Sequence, residues 1–135
     1  MGISLFTMKI SKLEKILKRA WCRETSADPD NWTEKVPEYG QCAVTACVVQ
    51  DYMGGEIVWA NAKHPNGQEI SHYFNVVDDE EVDLTRSQFP EGTLIPLGVP
   101  KRKQFPTTRD YVLSYGPSLD RYKILKHRVE LELDK

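Results

Sequence analysis

The segment QCAVTACVVQDY, residues 41–52, restricts the possible folds of this chain more than any other. If it is helical, apolar side chains lie on nearly every side of the helix, and a helix of that kind is buried in a protein core. A pair of glycines, Gly54-Gly55, follows it, and glycine readily adopts the left-handed conformation that ends many helices. The sequence therefore predicts a central helix over 41–52 that other elements must cover.

A β region follows the predicted helix. Short runs of apolar and β-branched residues alternate with turn sequences such as HPNG, which is typical of antiparallel hairpins. A further turn is predicted at 78–81. The predicted strands are 57–62, 69–77, 82–85 and 93–97.

Helices are predicted on either side of this β region. The first opens with the capping box Ser11-x-x-Glu14, in which two side chains satisfy the free N–H groups of the first turn. Near the C-terminus, one short helix follows Thr107 and stops at the Gly-Pro pair of 116–117. A second short helix is capped by Ser118.

The whole chain, residues 1–135, is predicted to form one α+β domain in which a small antiparallel sheet packs on the buried central helix. A chain of this length can bury a sizeable hydrophobic core without disulfides or structural metal ions. Residues 1–8 are expected to form a flexible N-terminus.

Charge and cysteine content predict a protein of the cytoplasm that binds neither nucleic acid nor membranes. The formal net charge of −2 and the pI near 5.9 argue against non-specific binding to nucleic acid or anionic lipid. No run approaches the ~18 apolar residues needed to span a bilayer, and the opening MGISLF is too short for the apolar part of a secretion signal. The three cysteines, an odd number without framework spacing, are expected to be reduced thiols.

Cys42 opens the predicted central helix, directly after Gly40-Gln41. The first turn of a helix offers unpaired backbone N–H groups and the positive end of the helix dipole, and both favour a thiolate over a thiol. The same N–H groups can receive the oxyanion that forms when a thiolate attacks a carbonyl. Cys42 is therefore a candidate nucleophile, although cysteines in apolar helices often serve packing alone.

Two possible partners for a thiolate follow Cys42 at short spacing. His72 lies 30 residues later within a predicted strand, and Asp83 lies 11 residues after His72 within the next one. A cysteine enzyme needs an imidazole beside the sulfur and a carboxylate or amide that holds the imidazole, so this order predicts a Cys-His-Asp triad. A tight turn centred at 79–80 would set Asp83 too far along the hairpin, whereas a turn one or two residues earlier would bring it to His72. Asn75 stays open as an alternative third member.

The other thiols and imidazoles have simpler interpretations. Cys47 lies five positions after Cys42, about 140° round the helix, and is expected in the core. Cys22 ends the first amphipathic helix, and His64 lies in a turn where solvation is expected. A structural zinc site prefers two closely spaced pairs of ligands. The spacing of these residues and His72 does not supply them, so no metal ion is expected.

The segments GQCAVTA, SHYFN and DLTRSQF, with the Gly-Gly pair after the central helix, make the sequence similar to the YunG-like proteins, a small prokaryotic family. The likeness covers about residues 20–130. More distantly, the order of Cys42, His72 and Asp83 resembles the papain-like superfamily, in particular its transglutaminase-like branch. There a cysteine opens the core helix, and His and Asp follow on neighbouring strands. Papain-type proteases carry an oxyanion-hole glutamine several residues before the nucleophile, whereas Gln41 is adjacent to it, so the resemblance assigns Gln41 no such role.

The resemblance and the residues together predict a papain-like core and a thiol-dependent hydrolase or acyltransferase that acts on an amide-type bond of a small molecule or peptide. Cys42 would be the nucleophile, His72 the general base and acid, and Asp83 the group that orients His72. The loop 24–38, with Trp32 at its centre and Tyr39 at its end, would form one wall of the cleft, and no cofactor is required. The alternative is a non-catalytic binding module on the same fold, in which Cys42 only packs.

Overall fold

The computed structural model describes residues 8–135 and has an α+β architecture. Within these residues the helices and strands, in chain order, are α1 Ile10–Ala20, α2 Cys42–Met53, β1 Glu56–Lys63, β2 Glu69–Val77, β3 Glu80–Val82, α3 Thr108–Leu113 and α4 Gly116–Leu133. Of the predicted flexible segment 1–8, only Met8 is among the described residues, and it packs partly against the core. No helix in the described range combines the length and the apolar character that crossing a membrane requires.

Helix α2 is the buried centre of the structure, as its sequence predicts. The run Val44–Val49 is buried without interruption. On one side α2 packs against Leu125 and Val129 of α4, and on the other against Ile57 of β1. The helix ends at Gly54, whose φ of 74° is the left-handed conformation that glycine adopts without strain.

The three strands form an antiparallel sheet in the order β1-β2-β3. One face of the sheet packs on α2. The opposite face forms a separate cluster in which Val58, Ala60 and Phe74 are buried under Ile95. The strands 57–62 and 69–77 are therefore confirmed, the first with one extra residue at each end.

The predicted fourth strand, 93–97, does not form. The chain runs beside β1 and meets it only at two isolated bridges, Lys63 with Leu94 and Trp59 with Val99. Pro96 lies between the two bridges, and proline has no N–H to donate to a ladder. The sheet of the described residues therefore stops at three strands.

The hairpin between β2 and β3 is tighter than the predicted turn over 78–81. Asp78 and Asp79 have positive φ angles of 51° and 65°, and Val77 already pairs with Glu80. Two central residues with positive φ match the twist of a two-residue hairpin. Strand β3 thus occupies 80–82 instead of 82–85, and Asp83 follows its last residue.

Both predicted helix starts that relied on capping residues are wrong. Helix α1 begins at Ile10, before the supposed cap Ser11, and no side chain caps it. Helix α4 begins at Gly116, two residues before Ser118, because proline in the first turn costs no hydrogen bond and its fixed φ suits a helix. The Gly-Pro pair of 116–117 therefore starts a helix of 18 residues, although the sequence suggested a stop followed by a short one.

Candidate functional site

Cys42 is the first residue of α2, and the turn before it is closely packed. Gly40 has a φ of 72°, and its carbonyl accepts a hydrogen bond of 2.8 Å from the N–H of Ala27. A Cβ atom at Gly40 would overlap the hydroxyl of Ser26, so only glycine fits at this point. The first helical bond runs from Thr45 N–H to the Gln41 carbonyl, which leaves the N–H groups of the first turn without an acceptor within the helix.

His72 is fully buried in the middle of β2 and bonded to Asp83. Its Nε2 donates to Oδ2 of Asp83 over 2.6 Å. The register explains the contact: Asn75 pairs with Val82, so one further step brings Asp83 level with Phe74, on the face that also carries His72. The turn is centred at 78–79. This is one residue earlier than the turn at 79–80 that would have separated Asp83 from His72.

Two phenylalanine rings enclose the imidazole. Phe74 is stacked on the His72 ring at a centroid distance of 5.4 Å, and Phe89 meets it edge-on at 4.9 Å. Asp83 also accepts a hydrogen bond of 3.2 Å from Nε of Arg86, an exposed side chain, while Asp83 itself is nearly buried. Water therefore has little access to the bond between His72 and Asp83, and a shielded charge pair interacts more strongly than an exposed one.

The pKa of His72 reflects these contacts. Burial alone lowers the pKa, since it disfavours the charged ring, but the hydrogen bond to Asp83, the interaction with the Cys42 thiol and the negative charges of both groups outweigh it. Together they raise the pKa of His72 to about 9. At neutral pH the ring is thus an imidazolium ion.

Cys42 lies near the same ring, since its thiol is among the groups that raise the pKa of His72. Its side chain raises the pKa of His72 both through a polar interaction with the ring and through its charge. Nδ1 of His72 is buried and has no hydrogen-bond partner among residues 8–135. The structure therefore joins His72 to Asp83, with Cys42 in the neighbourhood of the ring.

Asn75, the alternative third member, lies on the other face of the sheet. Its amide donates a hydrogen bond of 2.9 Å to the Ala46 carbonyl of α2, and its side chain is buried. Gln41 is also directed inward, because its amide donates to the Cys22 carbonyl over 3.0 Å. Neither amide is a partner of His72, which leaves Asp83 as the group that holds the ring.

A cleft of about 420 Å³ borders Ala43 and Tyr73, the residues that follow Cys42 and His72 in the chain. Its lining comes from α2, β2, α3 and the start of α4, and includes Ala43, Tyr73, Tyr111, Ser114, Tyr115 and Ser118. Sequence reasoning missed these residues, because the α3–α4 segment is distant along the chain and carries no recognisable motif. The loop predicted as a cleft wall does not line this cleft, and two of its aromatic side chains bond within it: the Trp32 indole donates to the Pro37 carbonyl, and the Tyr39 hydroxyl donates to Asp28.

The remaining thiols and imidazoles lie apart from the cluster. Cys47 is fully buried, and burial raises the pKa of its thiol to about 12. His64 is not simply solvated, because its ring packs edge-on against Phe89. Cys22 is partly exposed near the end of α1. In the described part of the chain, no three His, Cys, Asp or Glu side chains come close enough to hold a metal ion.

Comparison with known proteins places the chain in a family. A family model described as "YunG protein" matches residues 9–134. A curated relative from Bacillus subtilis (strain 168), "Uncharacterized protein YunG", is 39% identical over 74 residues. That match covers 55% of this chain and 57% of the relative, so it spans little more than half of either protein. No solved structure matches the chain. Since the family model covers nearly the whole sequence, the chain belongs to the YunG protein family.

Proposed function

We propose that this protein is a thiol-dependent hydrolase or acyltransferase that acts on an amide-type bond, with a papain-like core. The observation that carries the proposal is the 2.6 Å bond between the buried His72 and Asp83, together with the position of Cys42 as the first residue of α2. An imidazole held by a carboxylate on one nitrogen and facing a thiol with the other is the arrangement that activates a cysteine nucleophile. The order helix, then His strand, then Asp supports the likeness to transglutaminase-like enzymes.

The first half of the reaction forms a thioester. The Cys42 sulfur attacks the carbonyl carbon, and the oxyanion that develops accepts hydrogen bonds from free N–H groups of the first turn of α2. The His72 imidazolium then gives its proton to the leaving nitrogen as the C–N bond breaks. His72 is thereby neutral when the acyl group is bound to sulfur.

The second half releases the acyl group. Neutral His72 takes a proton from water or from an acceptor amine, and the resulting nucleophile attacks the thioester carbon. The C–S bond breaks, and the thiolate and imidazolium are restored. Throughout, Asp83 holds Nε2–H and stabilises the charged ring, while Phe74 and Phe89 exclude water from the pair. These steps need no metal ion or organic cofactor, and they need a compartment that keeps Cys42 reduced, as the cytoplasm does.

A second candidate is a binding module in which Cys42 never reacts. The cleft lined by tyrosine and serine side chains favours this reading, because concave sites with aromatic walls and a few polar groups are typical of ligand binding. The two functions differ in one measurable property, the reactivity of the Cys42 thiol.

Limited labelling with iodoacetamide at pH 6.5, followed by peptide mass spectrometry, decides between the two candidates. Cys42 should react well before Cys22 and Cys47, since a thiolate paired with an imidazolium persists below the pH at which ordinary thiols react. The His72→Ala variant should lose this advantage, and His64→Ala, in which the other Phe89-bound imidazole is removed, should keep it. If Cys22 is labelled first and Cys42 stays unmodified in the folded protein, the enzyme hypothesis is wrong and the binding module is favoured.

A further inference from the structure

The segment that follows Asp83, within the run DLTRSQF, contacts both parts of the candidate site. Residues 86–88 form a single turn of 3₁₀ helix, and Phe89 comes directly after it. The two ends of this segment reach the imidazole part. Arg86 donates a hydrogen bond of 3.2 Å to Asp83, and the Phe89 ring meets the His72 ring edge-on at 4.9 Å. The segment is therefore tied to both members of the His72–Asp83 pair.

The two middle residues of the segment contact the chain that leads into α2. The Ser87 hydroxyl donates to a carboxylate oxygen of Glu38, and Oε1 of Gln88 accepts a hydrogen bond of 3.2 Å from the N–H of Gly40. Cys42 lies two residues after Gly40. One short segment thus connects the imidazole and its carboxylate to the residues directly before the candidate nucleophile.

Gly40 is held from two sides. On one side its carbonyl accepts a hydrogen bond of 2.8 Å from the N–H of Ala27, and the Ser26 hydroxyl leaves no space for a Cβ atom. On the other side its N–H donates to Gln88, and within residues 8–135 it has no other acceptor. Gln88 is therefore the direct contact between Gly40 and the segment that holds the imidazole.

The Gln88 amide makes this one bond and no other among the described residues. Because the N–H of Gly40 can only donate, the atom that meets it must be the amide oxygen. The amide nitrogen is buried and has no partner within residues 8–135. A buried donor without an acceptor is unfavourable and offsets much of the stability that the bond to Gly40 contributes. The bond therefore matters more for the position of Gly40 than for the stability of the fold.

The distance and alignment between a thiol and an imidazole decide how well they exchange a proton, and their charges interact less as they separate. We infer that Gln88 is a positioning residue, which through Gly40 holds the start of α2, and with it Cys42, in place relative to the His72–Asp83 pair. Gln88 acts through the backbone and takes no part in the chemistry. The inference rests on the proposed function, because the placement of Cys42 matters only if thiol and imidazole act together.

Replacing Gln88 with methionine tests the inference, because methionine has a similar length but only a weak acceptor. The rate at which iodoacetamide labels Cys42 is measured from pH 5 to 10. Gln88→Met should slow labelling by about fivefold at pH 6.5, where the imidazolium favours the thiolate, and by much less at pH 10, where the thiol ionises without it. In the His72→Ala background, Gln88→Met should have no further effect, since both substitutions act through the same interaction.

Gln50→Met is the matched control. Gln50 lies near the other end of α2, where its amide donates to the Gly55 carbonyl over 3.1 Å and accepts from Arg109 over 3.1 Å. The control thus makes the same substitution on the same helix, at the end away from the candidate site. It should lower the melting temperature, because two hydrogen bonds are lost, and leave the pH profile of Cys42 labelling unchanged.

Two outcomes of these assays would overturn the positioning role. The first is a pH profile for Gln88→Met equal to that of the wild type while His72→Ala still slows labelling, and the proposed function would then stand. The second is a loss with Gln88→Met that persists undiminished in the His72→Ala background, since such a loss would not depend on the imidazole.

A pH titration of the His72 imidazole by NMR tests the inference even if Cys42 is unreactive and the proposed function fails. The Cys42 thiol contributes to the raised pKa of His72, so Cys42→Ala should lower that pKa. Gln88→Met should lower it by a smaller amount, and the double variant should match Cys42→Ala. A lowered pKa in Gln88→Met would support the positioning role without any reaction at the sulfur. If Gln88→Met leaves the pKa of His72 unchanged, the positioning role is wrong.

Discussion

Cys42 and Cys47 lie on the same helix, five residues apart, in opposite chemical environments. Cys42 is in the first turn, partly exposed and near the His72 imidazole. Cys47 is fully buried against Ile57 and Val112, and burial raises the pKa of its thiol to about 12. Its backbone carbonyl accepts a hydrogen bond from Arg109.

The comparison indicates that the position of a cysteine along the helix determines whether its thiol can react or only packs. Near the N-terminus, free N–H groups and a neighbouring cation favour a negative sulfur, whereas five residues later the same side chain is a small apolar group that fills the core. Because the two residues share one helix, each serves as the internal control for substitutions of the other.

The largest effect is expected from Cys42→Ala, which removes the proposed nucleophile. Thiol-dependent turnover, for example release of p-nitrophenol from p-nitrophenyl acetate, should fall by about a thousandfold or more. Cys47→Ala should retain turnover within about twofold, because Cys47 faces the core. Steady-state assays of both variants, with folding checked by circular dichroism, measure this. Equal losses in the two variants would remove the distinction between the thiols.

The raised pKa of His72 makes stability depend on pH. Since the folded pKa is about 9 and the unfolded value about 6.5, the charged ring stabilises the native state fully below pH 6.5, and this contribution is lost as the pH rises through 9. The difference between the two values corresponds to roughly 3 kcal/mol. Urea unfolding of the wild type and Asp83→Asn should therefore show a gap that narrows between pH 6 and 9.5. Glu34→Gln, an exposed position away from His72, should show no such change.

The His72→Ala variant should slow labelling of Cys42 at pH 6.5 by about tenfold to a hundredfold, because the cation that favours the thiolate is gone. The wild type should also lose turnover above pH 9, as the imidazolium that donates to the leaving group is deprotonated. Stopped-flow alkylation across pH 5 to 10 measures both effects. A profile identical to that of the wild type would mean that Cys42 does not depend on His72.

The Asp83→Asn variant should reduce labelling by a smaller factor, about fivefold, and should add little in the His72→Ala background, since both residues act through the same ring. Asn75→Ala is the matched control. It removes the hydrogen bond to the Ala46 carbonyl and should lower stability without changing the labelling rate. If Asn75→Ala alters the pH profile and Asp83→Asn does not, Asp83 is the wrong third residue.

The smallest effect is expected from Cys47→Ala on stability. Removing a buried sulfur next to Ile57 and Val112 leaves a small cavity and should lower the free energy of unfolding by about 1 kcal/mol. The labelling rate of Cys42 should not change. An unaltered melting temperature would show that the site can close around the missing atom.

Local patterns sufficed to predict the elements that hold the candidate triad. The apolar run of α2, the glycine pair after it and the alternation in β1 and β2 are all features of neighbouring residues, and they located Cys42 on a helix and His72 within a strand. The contact of Asp83 with His72 could be predicted only from the register of the hairpin between β2 and β3. That register depends on positive φ angles at two aspartates, which sequence does not announce because glycine or asparagine is the usual signal.

Features that depend on distant segments were not predictable in the same way. The fourth strand failed because Pro96 interrupts its ladder, and the start of α4 was misplaced because a Gly-Pro pair can open a helix as well as end one. The cleft is the clearest case. Its wall at Tyr111 meets Ala43 only because α3 is fastened to α2 through the contacts of Arg109, and no local pattern reports that packing.

At the turn formed by Asp78 and Asp79, the number of residues matters more to the candidate site than their identity. Replacing either aspartate with glycine or asparagine would preserve the two-residue hairpin and even relieve backbone strain. Inserting one residue would shift everything after it by one position, and the side chain that reaches the face of His72 would then be the one before Asp83 in the present chain, Val82. Substitutions at these two positions should therefore be tolerated. Insertion of a single residue should not, because it would place an isopropyl group instead of a carboxylate beside the imidazole.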